Sequence, residues 1–143
     1  MNFYKVGFCF CFMGRIFTGC IYDSFDDMFR VSVMSRHTLD CGRVDDPRIT
    51  SRSYDLWLPE LGPPGEIIVP YLRGEIGWDE YAVLYNEFLG LRSVAGFVEG
   101  LAGEAVKRDT ILLCKERKGE DCHRNVLAEG CRVYEDGLEV VLL

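Results

Sequence analysis

The sequence predicts an α/β fold, a single small three-layer domain over residues 1–143 with a mostly parallel β-sheet flanked by helices. Three observations carry this. Residues Thr110 to Cys114 (TILLC) form a short, unbroken apolar run, the pattern of a strand covered on both faces. Stretches with helical period stand before and after it. Residues Leu138 to Leu143 (LEVVLL) add a further strand, so strand, helix and strand follow one another as in a βαβ unit.

Composition agrees. Hydrophobic residues make up 48% and charged residues 27%, an ordinary globular mix that argues against disorder and fibrous repeats. No apolar run approaches the roughly 18 residues of a membrane helix. The net charge of −7 makes extended duplex nucleic acid a poor partner and leaves room for a small anionic ligand at a local basic pocket.

The elements follow in order. Phe3 to Phe12 alternates and is rich in aromatics, which predicts a first strand. Residues 13–30 contain Gly14, Gly19 and the acids Asp23, Asp26 and Asp27, and are expected to be loop with at most one helical turn. Phe29 to Met34 alternates as a strand and stops at Ser35, Arg36 and His37. Residues 41–70 read as a long loop, broken by Asp45-Asp46-Pro47 and Gly62-Pro63-Pro64-Gly65. Tyr54, Leu56, Trp57, Leu58 and Leu61 are too apolar for a free linker and should pin that loop to the domain. From Gly77 the period becomes helical, with Trp78, Tyr81, Ala82, Tyr85, Phe88 and Leu89 on one core-packing face. A second helix, capped by Ser93, presents Val94, Phe97, Val98 and Leu101. Cys122 to Cys131 predicts a helix capped by Asp121.

Seven cysteines, an odd number in a chain that needs no staples, argue against a secreted disulfide framework and for thiols in the cytoplasm. The ending Phe17-Thr18-Gly19-Cys20 looks faintly like a lipoprotein cleavage box, but Arg15 interrupts the apolar stretch before it. The chain has no Gln and only three Asn, a scarcity of thermolabile amides that fits a thermophilic source.

The chemistry concentrates in Cys114, Lys115 and Glu116 at the carboxyl end of one strand and Cys122, His123 and Arg124 at the start of the next helix. In open parallel sheets, ligands sit at that carboxyl edge. A helix start offers free N–H groups and partial positive charge, which favours a thiolate at Cys122 and an anion held by Arg124. Cys122 and Cys114 are therefore the candidate nucleophiles. Glu116 acts as acid or base, or pairs with Arg124. If the strand ending at Met34 is a neighbour, Arg36 becomes a second anion clamp, Ser35 a hydroxyl donor and His37 a proton carrier. Packed thiols and a structural Glu116–Arg124 pair are the plainer alternatives. Zinc held by Cys114, Cys122, His123 and Cys131 lacks a C-x-x-C knuckle, so no metal or cofactor is assigned.

These residues resemble a known family. The run Leu112-Leu113-Cys114-Lys115-Glu116 with Cys122-His123-Arg124 is similar to the LLC-x-E … CHR signature of domain of unknown function family 488. Trp57 to Pro64 resembles the family's W-L-x-E-L-A-P-S stretch, with Gly62 and Pro64 departing from it. Tyr71 to Tyr85 resembles Y-x-x-G-x-I-x-W-x-E-[FY], and Ser35-Arg36 matches its strand-end arginine. The resemblance spans about residues 29–143 and implies an α/β domain with a shared crevice, but no settled activity. A small enzyme acting on a phosphate-bearing nucleotide or nucleic-acid-derived ligand is the leading expectation. A non-catalytic anion-binding module and a redox protein with a Cys114–Cys122 disulfide are the alternatives. The oligomeric state is left open.

Overall fold

The computed structural model describes residues 14–39 and 42–143. The expected strand Phe3 to Phe12 lies outside these residues, as do Cys9, Cys11 and Cys41. The described strands are β1 (Arg15–Cys20), β2 (Phe29–Ser32), β3 (Thr38–Leu39), β4 (Val44–Asp45), β5 (Leu56–Trp57), β6 (Thr110–Cys114) and β7 (Glu139–Leu142). The helices are α1 (Gly65–Leu72), α2 (Trp78–Leu89), α3 (Arg92–Lys107) and α4 (His123–Cys131), with a 3-10 turn at Pro59–Leu61.

Five strands form one parallel sheet in the order β5-β2-β6-β1-β7. Strands β3 and β4 make a separate antiparallel pair. The expected α/β class holds, and β6 is buried at all five positions because it is paired on both sides and covered on both faces. Alternation along the strands sends Ile16, Val31 and Leu112 to the face carrying α2, α3 and α4. Phe17, Ile111 and Leu113 face the other way, toward Ile21, Met34 and Ile49 from ordered loops. Among the described residues no helix is long and apolar enough to cross a membrane.

Three stretches differ from expectation, one of them Leu56–Trp57, which lies in the expected loop 41–70 but pairs with β2 as the edge strand β5. Residues 15–20 are not loop but a central strand, five of whose six residues are buried. Gly14 before the strand and Gly19 within it mark close approach rather than a turn. A Cβ on Gly14 would stand 1.9 Å from the Ala105 carbonyl oxygen, and one on Gly19 would stand 2.7 Å from Ile111 Cδ1. Residues 65–72 are likewise helix. Pro64 is its N-cap, in extended conformation, so the Gly-Pro-Pro-Gly run is the helix entry and not only a breaker.

Helix starts also shift. Leu91, not Ser93, is the cap of α3, and Cys122, not Asp121, is the cap of α4. The long loop is pinned as expected: Leu61 is fully buried, and Trp57 Nε1 donates to the Met34 carbonyl at 2.7 Å.

Asp46 anchors the loop-side layer. Its carboxylate accepts from Arg48 Nε at 3.1 Å and from the Tyr22 hydroxyl at 2.5 Å. Arg48 and then Tyr22 hold the carboxyl at about 2, against the opposing effect of burial. Burial and the Asp46 contact push Tyr22 up to about 12. Since the folded carboxyl titrates below its ordinary value of 3.8, its stabilisation is complete above that value and is lost as pH falls toward 2. Asp46→Asn should therefore unfold at lower urea than wild type near neutral pH. The two midpoints should converge in strong acid. A constant gap across the whole acid range would contradict this.

Candidate active site

The carboxyl ends of β6 and β2 lie side by side, with Ser32 paired to Leu113 and the Val33 amide donating to the Leu113 carbonyl at 3.1 Å. The next residue of β6, Cys114, therefore emerges beside the segment 33–37. Its register partner on the other side is Cys20 of β1. The chain crosses from β1 toward β2 and from β6 toward β7, in opposite senses, so β6 and β1 flank the switch point of the sheet.

Four side chains converge there. Glu116 Oε1 accepts from Cys114 Sγ at 2.9 Å and from Cys122 Sγ at 3.2 Å. Cys122 Sγ lies 3.6 Å from His123 Nδ1. His123 Nε2 donates to the Val33 carbonyl at 2.8 Å. A carbonyl can only accept, so Nε2 carries a proton and Nδ1 is the ring nitrogen that faces the thiol. Tyr85 packs edge-on to the imidazole at 5.3 Å and donates to the Leu61 carbonyl at 2.6 Å. Tyr81 stacks on Tyr71 at 4.6 Å.

Local sequence explains the placement. The loop 115–121 turns through Gly119, at φ +86, where a side chain would be strained. Cys122 caps α4 in extended conformation, φ −154 and ψ 145, and its thiol makes no cap bond to the helix. It turns to Glu116 instead. Lys115 Nζ donates to the Thr38 carbonyl at 3.2 Å and ties the loop to the segment after β2.

The electrostatics act strongly on Cys114 and Glu116. The Cys122 contact and burial push Cys114 well above its ordinary value, with Glu116 adding to the shift and His123 opposing it. Burial acts to raise Glu116, but the two thiol bonds and His123 outweigh it and hold the carboxyl below its ordinary value. Glu116 is thus an anion that both thiols serve.

Arg124 is 1% exposed, and neither Nε nor Nη1 has a hydrogen-bond partner. Its Nη2 reaches only the Arg117 carbonyl, at 3.4 Å. The Glu116–Arg124 pair is not formed. The other predicted residues lie apart from the thiol cluster. Ser35 is exposed and backs onto Gly62, where a Cβ would stand 2.5 Å from the Ser35 amide nitrogen. Arg36 is exposed and rests over Gly42, whose Cβ would stand 2.8 Å from its Nη1. His37 shares a 2.8 Å hydrogen bond with Ser32 and stacks on Trp57 at 4.1 Å, and burial lowers its pKa. Cys131 closes α4 in the helix-side core, where burial pushes its thiol up to about 12.

Tyr81, Tyr85 and the Val33 carbonyl were not anticipated at the site. The helical period placed both tyrosines on one face, but a period does not say which neighbour that face meets. A separate cleft of about 470 Å³, lined by Tyr22, Asp23, Arg48, Arg52 and Arg117 among others, does not include the thiol cluster.

In the reduced, chelator-treated protein, Cys114 should remain a thiol through mildly alkaline pH. A limiting alkylating agent should then label Cys122 ahead of Cys114 by roughly tenfold or more. Peptide mass mapping reads the ratio, and preferential labelling of Cys114 would refute the assignment.

The chain matches the family model described as "DUF488-N3a: Active DUF488-N3 subclade" over residues 26–133. That span contains Cys114, Glu116, Cys122, His123 and Arg124. No curated protein and no solved structure matches the chain. With more than half of its length covered by that match, the chain belongs to the DUF488 family.

Proposed function

We propose that this protein is a small thiol-dependent enzyme acting on a phosphate-bearing ligand, of the nucleotide or nucleic-acid-derived class. The observation that carries the reading is Arg124. A buried charge is costly unless paired, and here two of the guanidinium nitrogens have no partner. An anionic ligand group supplies what they lack, and a planar guanidinium suits phosphate or carboxylate. The matched family model's description as an active subclade supports catalysis over passive binding.

The roles follow from position. Arg124 holds the anion. Cys122, at the start of α4, has the unpaired N–H groups and positive dipole end beside it and carries the reactive sulfur. Glu116 Oε1, 3.2 Å away, takes the thiol proton as the sulfur attacks. Cys114 donates to the same oxygen and steadies the carboxylate. Arg36 and Ser35, at the end of the neighbouring strand, meet the distal part of a larger ligand. His37 belongs to a packed aromatic group and has a positioning role at most. A net charge of −7 favours a small ligand over a long duplex. Reduced, unpaired thiols fit a cytoplasmic setting.

Arg124→Met separates binding from folding. Replacing an unpaired buried cation by an apolar chain of similar length should raise unfolding stability, by roughly 1–4 kcal/mol. The same change should abolish protection of Cys122 by nucleoside phosphates in the alkylation assay. A variant that is destabilised yet still binds these ligands would sink the proposal.

A further inference from the structure

We propose that Cys114, Cys122 and His123 form a binding site for a soft divalent cation of the zinc class, one that caps the Cys122 sulfur. The inference goes beyond the anion-site reading and does not depend on it.

The donor atoms of the three residues all lie within 4.8 Å of one another. Zinc binds sulfur at about 2.3 Å and imidazole nitrogen at about 2.0–2.1 Å in tetrahedral sites, which sets donor–donor edges of roughly 3.5–3.8 Å. The Cys122 Sγ to His123 Nδ1 separation is 3.6 Å, already the length of such an edge. Glu116 Oε1, 2.9 and 3.2 Å from the two sulfurs, accepts from both thiols and lies outside the three-residue donor group.

A second observation points the same way. Metal-binding histidines characteristically donate their other ring N–H to a carbonyl or carboxylate, which fixes the tautomer and aims the free lone pair. His123 does this with the Val33 carbonyl at 2.8 Å, and its Nδ1 faces Cys122. Two thiols and an imidazole nitrogen thus converge on one buried point. Protons on sulfur satisfy the cluster in the metal-free state.

Binding replaces those protons. Each thiol loses one proton to solvent, two sulfur–metal bonds and one nitrogen–metal bond form, and no electron changes hands. Two thiolates, the Glu116 carboxylate and a divalent ion leave one net negative charge at the site, with Arg124 the next residue along from His123. Cys131 takes no part, since it lies at the far end of α4. Because the ion occupies the Cys122 sulfur, it makes the reactivity of that thiol sensitive to free zinc.

The test titrates Co²⁺ into the reduced, chelator-treated full chain, with no phosphate ligand present. The expected result is a sulfur-to-cobalt charge-transfer band and tetrahedral d–d bands that saturate near one ion per chain and bleach on adding Zn²⁺. Both sets of bands should vanish in Cys114→Ser and in Cys122→Ser. Absence of the charge-transfer band in wild type, or its persistence in the double variant through other cysteines, overturns the proposal. If the variants do not fold, the wild-type protein decides: stoichiometric Zn²⁺ should slow alkylation of Cys122 at least tenfold without changing that of Cys20. Alkylation of Cys122 at an unchanged rate overturns it. Loss of phosphate binding alone would count against the enzyme reading and leave the metal result unaffected.

Discussion

The parallel pairing of β6 between β2 and β1 fixes where every reactive group lies. It brings the Leu113 carbonyl to the Val33 amide, and so sets Cys114 beside the segment that leaves β2. From there two further bonds lock the edge. His123 reaches across from α4 to the Val33 carbonyl, and Trp57 reaches from β5 to the Met34 carbonyl. Strand end, helix start and long loop are thereby held to one another by backbone acceptors. Position at this edge depends on rigid elements rather than on a free loop, which is the condition for a preorganised site.

How much of this was legible in the sequence depends on which physical signal marks each element. An unbroken apolar run identified β6, and helical periods identified α2 and α3, because burial on one face or both leaves a pattern. The thiol, carboxylate and histidine members of the site were named from the two clusters that flank a strand end and a helix start. What escaped was set by neighbours distant in sequence. Gly14 and Gly19 read as breakers because their reason for being glycine, Ala105 and Ile111, lies about ninety residues away. The entry to α1 was hidden by the two prolines that form it. The role of Val33 is a backbone carbonyl, which no side-chain pattern reports. Arg36 was expected beside Arg124 on the strength of strand adjacency. The strands are indeed adjacent, but the chain turns Arg36 over Gly42.

The pairing of charges sets Arg124 apart. Arg15, Arg30, Arg48, Arg108, Arg117 and Arg132 each meet a carboxylate within 3.3 Å, most of them at the surface where such pairs contribute little. The buried Arg124, where a partner would matter most, meets no carboxylate and only the Arg117 carbonyl. Acids are not in short supply in a chain of net charge −7. The nearest sequence candidate, Glu116, is occupied by two thiols. A fold that pairs its cheap charges and leaves its costly one unpaired carries a local conflict, of the kind expected where function overrides stability.

A cluster of opposite sign lies a few residues away. At the thiol cluster the protein has gathered electron donors, with a carboxylate held below its ordinary value and Cys114 pushed up mainly by the Cys122 contact and burial. Only one half is left unsatisfied: the thiols serve Glu116, whereas two nitrogens of Arg124 have no partner. If the two were meant only to stabilise the fold, the simplest remedy would be to pair them, since Glu116 and Arg124 are separated by one loop and a helix start. The loop instead turns Glu116 onto sulfur, and α4 carries Arg124 into the interior with two nitrogens unsatisfied. Keeping the charges apart leaves a buried cation and a thiol–carboxylate cluster near one edge, the arrangement on which the two proposals rest. Cys122 caps the helix whose second residue is Arg124, so under the proposed roles the two sites share one rigid element.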